Sequence, residues 1–142
     1  MTRIPSYPAA IDPARVGDYP AEVKAGGGYV WDAVLEYRVW CHPRRGSDYY
    51  HAFATYPEAL AFSRSTPGAE EPLALIRQDE YLDEPRPGQF EHVRKVRLTE
   101  WPVEFLERPR RTRRTIPDFL SPTAPPDRLD ILRGPVNKGK KG

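Results

Sequence analysis

The sequence predicts an α+β fold: a four-stranded antiparallel sheet in the order ββαββ, with one main helix and Pro-rich extended arms. Three observations predict this fold. Apolar and polar residues alternate in segments of strand length, which is typical of half-buried strands. A capping-box motif opens one helix between the second and third strands. The chain has 142 residues, which suits one domain, and 17 prolines, roughly twice the usual share of about 5%.

Three parts of the chain differ in composition. Residues 1–28 contain scattered prolines and three consecutive glycines without a sustained period, so we expect an extended N-terminal arm. Residues 29–107 carry the predicted strands and helix and form the body. Residues 108–142 are Pro-rich and basic, and we expect a strap that lies on the body, with the last residues, GKKG, disordered. Its predicted anchors are two apolar clusters, Ile116-Phe119-Leu120 and Leu129-Ile131-Leu132.

The first half of the body is predicted to form a β-hairpin. Residues 33–41 alternate between two sets of side chains: Leu35, Tyr37, Val39 and Cys41 in one, Glu36, Arg38 and Trp40 in the other. Residues 49–55 have strand length and are rich in aromatic side chains. A turn at Arg45-Gly46 joins the two strands.

The second half of the body begins with the helix. Thr55-Tyr56-Pro57-Glu58 matches a capping box with proline in the first turn, and Pro67-Gly68 ends the helix. Residues 73–82 and 90–101 are predicted as the third and fourth strands, joined by a turn over residues 84–89. Residues 103–106 can add a short helix or turn.

The hairpin contains the candidate binding face. A turn at Arg45-Gly46 pairs His42 with Tyr49, Cys41 with Tyr50 and Trp40 with His51. Because successive side chains of a strand point to opposite faces, Cys41 then lies on the core face. The other face collects aromatic and ionisable side chains, which is at odds with a plain solvent face. We take five of these residues as the candidate site: Arg38, Trp40, His42, Tyr49 and His51.

Cys41-His42 admits two interpretations. An imidazole beside a thiol can lower the thiol pKa and accept its proton, as in a nucleophilic pair. Adjacent strand residues point apart, however, which favours a buried and inert cysteine. The spacing of His42, His51 and Asp48 matches no standard metal site, so we expect no metal.

Charge is distributed unevenly along the chain. The chain has 12 basic and 17 acidic residues up to Glu107, but 10 basic and 3 acidic residues after it. Such asymmetry is typical of a tail that binds a polyanion or a partner. The candidate phosphate contacts are Arg108, Arg110, Arg111, Arg113 and Arg114. The alternative is that these arginines pair with the acidic body and pin the strap to it.

A resemblance to a known family is carried by five stretches between about residues 26 and 134: GGGYVWDAVLEYRVWCHP, DYYHAFATYPEALAFS, PGAEEPLALI, TEWPVEFL and RLDILRG. They resemble a family of small bacterial proteins that often carry the label GNAT-family acetyltransferase. The resemblance implies acetyl transfer from acetyl-CoA to an amine, with the pyrophosphate held by a Gln/Arg-x-x-Gly-x-Gly/Ala loop that opens a helix. Residues 44–47 and 25–28 do not have the spacing of that loop, so the resemblance assigns no catalytic residue here.

Three functions follow as hypotheses. The first is a cytoplasmic binding or interaction domain without a cofactor, with a protein or small-molecule partner. The second is an acetyl-CoA-dependent N-acetyltransferase in which Tyr49, Tyr50 or His42 acts as general acid or base. The third is nucleic-acid binding through the basic strap. The sequence has no run of about 18 apolar residues and no signal-peptide start, so we expect no membrane association.

Overall fold

The computed structural model of the protein describes residues 5–138. The strands in this range are β1 (Lys24–Ala25), β2 (Ala33–Cys41), β3 (Tyr49–Phe53), β4 (Leu73–Gln78), β5 (Tyr81–Arg86), β6 (Gln89–Val93) and β7 (Arg97–Pro102). The α-helices are α1 (Tyr56–Ser65), α2 (Thr115–Leu120) and α3 (Arg128–Lys138), and α3 is interrupted by a kink at Gly134, where φ is +67°. Short 3-10 helices cover Pro13–Arg15 and Val103–Glu107.

The main sheet is mixed and has five strands in the order β1-β7-β4-β2-β3. The pairs β7-β4, β4-β2 and β2-β3 are antiparallel, and β2, β3, α1, β4 and β7 follow one another in the predicted ββαββ order. The α+β class is therefore confirmed, but the prediction of a sheet with four antiparallel strands is wrong. The arm adds a fifth, parallel strand, β1, because it runs along β7 and Gly26 donates its N–H to the Glu100 carbonyl at 2.8 Å.

Each of the two strands predicted in the second half of the body is divided in two. Gln78 pairs with Arg97 at the end of the main sheet, while Tyr81 pairs with Val93 in a separate two-stranded sheet, β5-β6. The division falls at Asp79, whose N–H donates to the Asp32 carboxylate at 2.7 Å and leaves the ladder. The predicted turn is retained at the tip of the β5-β6 hairpin.

Helix α1 begins as its capping box predicts. The Thr55 hydroxyl accepts from the Glu58 N–H at 3.4 Å and donates to the Glu58 carboxylate at 2.7 Å. Ala59 and Leu60 then pack on one face of the main sheet, in a core that also buries Tyr37 and Trp101. Apolar burial of this kind is the main favourable term in the stability of the body.

The strap is not wholly extended, because it forms α2 and α3 beside the β5-β6 hairpin. Together these elements form a second apolar core around Val30 and Leu82, to which the strap contributes Ile116, Phe119 and Leu132. These three predicted anchors are buried, whereas Leu120 and Ile131 of the same clusters are exposed. The predicted disorder of GKKG concerns residues outside the described range.

The three glycines join the arm to the body at a crowded point. Gly28 has a φ of +84°, and a Cβ there would lie 2.3 Å from the Gln78 side-chain nitrogen. That nitrogen donates to the Gly27 carbonyl at 3.0 Å, so the backbone and Gln78 are in direct contact. Glycine is required here by both conformation and space. Within the described residues, no helix has the length and apolar character needed to cross a membrane.

Candidate functional site

The β2-β3 hairpin pairs one residue away from the predicted register. Cys41 pairs with Tyr49, Trp40 with Tyr50 and Val39 with His51, so the predicted pairs are wrong. His42 lies outside the hairpin ladder, and the loop is one residue longer than predicted. The His42 N–H donates to the Gly68 carbonyl at 2.9 Å, on the side of β2 away from β3. A shift of one residue moves side chains to opposite faces.

The register divides the predicted binding face between the two sides of the sheet. Arg38 and Trp40 lie on the side covered by the arm. Tyr49 and His51 lie with Val39 and Cys41 on the side of α1, where the His51 ring is 4.6 Å from that of Phe62. His42 is in the loop. The five residues of the candidate site are therefore not brought together on one face.

Arg38 is fully buried, contrary to its predicted place on an exposed face. Its Nε lies 2.7 Å from a Glu36 carboxylate oxygen, and its Nη1 lies 3.0 Å from the Glu100 carboxylate. The arm supplies two further acceptors, the carbonyls of Pro20 at 2.5 Å and Ala21 at 3.2 Å. The Arg38 guanidinium thus bonds to carboxylates of the sheet and to carbonyls of the arm, and so fixes the arm to the sheet. Its role in this arrangement is structural.

Trp40 and Tyr50 also contact the buried charged groups under the arm. The Trp40 indole donates to Glu100 at 2.9 Å, and the Arg38 guanidinium lies 4.5 Å from the centre of the Tyr50 ring. The Glu36 carboxylate accepts from the Gly17 N–H at 2.8 Å, which adds a second attachment of the arm. Buried charges are tolerated only when they are paired and hydrogen-bonded in this way.

His42 forms an exposed cluster with two carboxylates. Its Nδ1 lies 2.8 Å from Asp48, and its Nε2 contacts Glu70. The hydrogen bonds to Glu70 and then to Asp48 raise the pKa of the His42 imidazole. Both ring nitrogens are occupied, so His42 cannot accept a proton from the adjacent Cys41. The cluster links the hairpin loop to the segment before β4.

Cys41 is buried, as the inert interpretation predicts. Cys41 and Tyr49 are cross-strand neighbours, and the thiol raises the pKa of the Tyr49 hydroxyl. In the part of the chain that the structure describes, no group of three His, Cys, Asp or Glu side chains can hold a metal ion. None of the three α-helices in that part is preceded by a glycine-rich segment of the kind that cradles a pyrophosphate.

The basic run of the strap is split between held and exposed side chains. Arg111 lies 2.9 Å from Asp32 and 3.6 Å from Glu80, and Arg110 donates to the Asp32 carbonyl at 2.7 Å. Arg108 lies over the Phe105 ring at 3.9 Å. Arg110 is exposed although its Nε is bonded, and Arg113 and Arg114 are exposed too, with Arg114 in a 3.7 Å ion pair with Asp118 of α2. This arrangement matches the alternative in which the run pins the strap.

The sequence did not predict a groove between α2 and α3. It has a volume of about 220 Å³ and is lined mainly by apolar side chains, among them Phe119, Ile131 and Leu132. Its formation depends on the two helices of the strap, which no periodicity in the Pro-rich segment indicates.

The sequence also gave no signal for the exposed edge of β3. This strand is the last of the main sheet and pairs only with β2. On the side of β2 away from β3, the Trp40 carbonyl accepts from the Glu70 N–H, and the His42 N–H donates to the Gly68 carbonyl. Since backbone groups alternate sides along a strand, Val39 and Cys41 must point toward β3. Their partners His51 and Tyr49 point back, which leaves the N–H and C=O groups of Tyr50 and Ala52 directed outward.

Aromatic side chains flank this edge. On the α1 side, the ring centres of Tyr49 and His51 are 5.6 Å apart, and those of Phe53 and Phe62 are 5.4 Å apart. Tyr49 is 46% exposed, so part of this aromatic surface is open to a partner. Strand edges that avoid pairing carry proline, charge or a bulge, whereas β3, with the sequence YYHAF, has neither proline nor a charged lysine, arginine, aspartate or glutamate.

Comparison with known proteins gives no relative for this chain. No protein-family model, no curated protein and no solved structure matches it. Functional inference therefore depends on the geometry above.

Proposed function

We propose that this protein is an interaction module that binds an extended segment of another polypeptide as an additional strand on the edge of β3. The observation that carries the proposal is the pair of outward-directed backbone positions, Tyr50 and Ala52, in an uncharged aromatic strand. Strand addition obtains affinity from main-chain hydrogen bonds and specificity from alternate side chains. This function retains Tyr49 and His51 from the predicted binding face.

The rest of the sheet supports the choice of this edge. The opposite edge strand, β1, has two residues and continues into three glycines, so it offers little to pair with. In the smaller sheet, β5 contains Pro85 and Asp83, and β6 contains Glu91, all of which oppose strand addition. Among the strands of the described residues, β3 combines length, exposure and absence of charge.

A displayed library of ten-residue peptides, selected on the immobilised full chain, provides a probe for this function. We expect the selected peptides to alternate apolar with polar residues and to bind the wild type when synthesised. Ala52→Pro removes the outward N–H without removing a bond to β2, because proline is accepted on the open side of an edge strand. We expect it to weaken binding at least about tenfold, the effect of one lost hydrogen bond with its desolvation cost.

Ala52→Ser is the matched control, since it keeps the N–H and is expected to bind like the wild type. Far-UV circular dichroism and thermal unfolding establish that both variants are folded. Equal binding of folded Ala52→Pro and Ala52→Ser would contradict strand addition at β3. The acetyl-CoA hypothesis has a separate direct test, which is calorimetric titration of the full chain with acetyl-CoA.

A further inference from the structure

We infer that the strand which β3 accepts is β3 of a second copy of this chain, paired antiparallel about a two-fold axis at His51. The inference rests on the proposed function and names its partner. It requires that the edge be complementary to itself, which can be judged from the backbone, the side chains and the charges.

The free backbone groups are symmetric about His51. Tyr50 and Ala52 direct their N–H and C=O groups outward, and the next outward carbonyl, that of Ala54, already accepts from the Ala10 N–H at 2.8 Å. In an antiparallel pair centred on His51, Tyr50 bonds with the partner's Ala52, and Ala52 with the partner's Tyr50. All four outward groups of each copy are then satisfied. An axis at Tyr50 or at Ala52 would leave some of them without a strand partner.

The side chains also match in this register. On the α1 side, Tyr49 lies opposite the partner's Phe53, and aromatic cross-strand pairs favour sheet formation. On the side of the arm, the large Tyr50 lies opposite the small side chain of the partner's Ala52. The strand contains no Lys, Arg, Asp or Glu, so no like charges of these types meet across the axis.

Charges outside the strand are complementary as well. The loop before β3 exposes Arg44 and Arg45, and the segment after β3 exposes Glu58 in the first turn of α1. In an antiparallel arrangement, the loop of one copy lies beside the segment that follows β3 in the other. The two arginines of each copy therefore approach the partner's Glu58, twice by symmetry.

Five residues per strand make a small interface, so a weak dimer is expected, with a Kd of about 10 to 100 μM. Sedimentation velocity of the full chain between about 1 μM and 1 mM would show the monomer converting to dimer over this range. His51→Glu and His51→Lys each place like charges opposite one another, and each should raise the Kd at least about tenfold. An equimolar mixture of the two should restore association, because opposite charges then meet at the axis.

Cysteine cross-linking tests the register by an independent route. His51 and its counterpart form a non-hydrogen-bonded pair, with Cα atoms expected about 4.5 Å apart, which is within disulfide range. His51→Cys should therefore form a covalent dimer through an interchain disulfide when a mild oxidant is added to accept the two electrons. The wild type, whose only cysteine is the buried Cys41, and Ala61→Cys on the exposed side of α1 are controls that should remain monomeric on a denaturing gel.

The outcomes separate this inference from the proposed function. A chain that stays monomeric to 1 mM, or a His51→Cys variant that does not cross-link, would overturn self-pairing. If selected peptides still bind Ala52→Ser and not Ala52→Pro, the edge would nevertheless bind strands of other proteins. If a dimer forms but neither Ala52→Pro nor His51→Glu weakens it, β3 is not the dimer interface and self-pairing is overturned. Both proposals fail if, in addition, the selected peptides bind Ala52→Pro and Ala52→Ser equally.

Discussion

The N-terminal arm and the C-terminal strap are both held to the body by arginine side chains. For the arm, the arginine belongs to the body; for the strap, the arginines belong to the strap. In the arm, backbone carbonyls of Pro20 and Ala21 accept from Arg38, a fully buried residue of the sheet. In the strap, the arginines Arg110 and Arg111 belong to the attached segment itself and bond to Asp32 on the body. Arg38 is isolated from water, whereas the strap arginines are partly exposed.

This difference in burial should determine how much stability is lost when each arginine is replaced. A buried arginine cannot be removed without leaving its carboxylates unpaired, so its loss affects the whole sheet. A partly exposed arginine can be replaced in part by water, so its loss affects mainly the segment it holds. Replacing each attachment in turn should therefore produce effects that decrease with exposure.

The largest effect is expected from Arg38→Met. Glu36, which is 0% exposed, would lose its cation, and removal of one partner of a buried ion pair typically costs about 3 to 5 kcal/mol in the free energy of unfolding. Chemical denaturation measures this loss. Arg15→Met is the control, because Arg15 is exposed and lies over the Tyr19 ring at 5.0 Å, so a change within about 0.5 kcal/mol is expected.

A double variant sharpens this comparison. Glu36→Gln in the Arg38→Met background removes the unpaired charge, so it should restore part of the lost stability. If Arg38→Met costs less than about 1 kcal/mol, the buried charge is not what holds the arm.

A smaller effect is expected from Asp32→Asn. The carboxylate is 8% exposed and accepts from Arg111 Nε at 2.9 and 3.1 Å and from the Asp79 N–H at 2.7 Å. Hydrogen bonds to a charged group contribute about 1.5 to 3 kcal/mol, so we expect a loss of that size. Trypsin should also cleave the strap sooner at Arg111, because this arginine loses its carboxylate partner on the body.

Asp118→Asn is the matched control for Asp32→Asn. Asp118 pairs with Arg114, and both side chains are largely exposed, so the change in stability should stay within about 0.5 kcal/mol. Equal losses for the two variants would mean that burial does not decide the strength of the strap attachments.

The contrast between local and distant contacts also explains which predictions succeeded. The α1 capping box depends on Thr55 and Glu58, three residues apart, and was readable from the sequence. The hairpin register is one residue away from the one that a turn at Arg45-Gly46 predicts, and this end of β2 is bonded to Gly68 and Glu70 from beyond α1. Strand alternation is compatible with either register and no local pattern contains those bonds, so the predicted face failed although both strands were correctly placed. The edge of β3 likewise became visible only once the order of strands was known.

The strap helices escaped prediction for a related reason. Pro117 lies within the first turn of α2, where proline is tolerated, but a Pro-rich sequence indicates extended structure. The helices are stabilised by Ile116, Phe119 and Leu132 in a core completed by Val30 and Leu82 from the body. The sequence thus identified three of the buried apolar anchors, but it did not predict the helices that carry them.

Binding of single-stranded DNA measures how many strap arginines are available. Full use of about four phosphates would give a slope of about −3 in log K against log salt. With Arg108, Arg110 and Arg111 held by the body, two phosphates and a slope of about −1.4 are expected. Fluorescence anisotropy with a labelled oligonucleotide provides the slope. Arg113→Gln combined with Arg114→Gln should abolish it, and a slope near −3 would show that the held arginines leave the body.

His42 provides an exposed attachment of the hairpin loop, and its effect should depend on pH. Hydrogen bonds to Glu70 and then to Asp48 raise its pKa above the ordinary value of about 6.5. Because the folded pKa is the higher one, the stabilisation is complete below about pH 6.5 and is lost as the pH rises through the folded pKa. The melting temperature of wild type should therefore exceed that of His42→Gln at pH 5.5, and the difference should decrease toward pH 9. If the difference in melting temperature between wild type and His42→Gln stays constant over this range, the charge of His42 does not hold the hairpin loop.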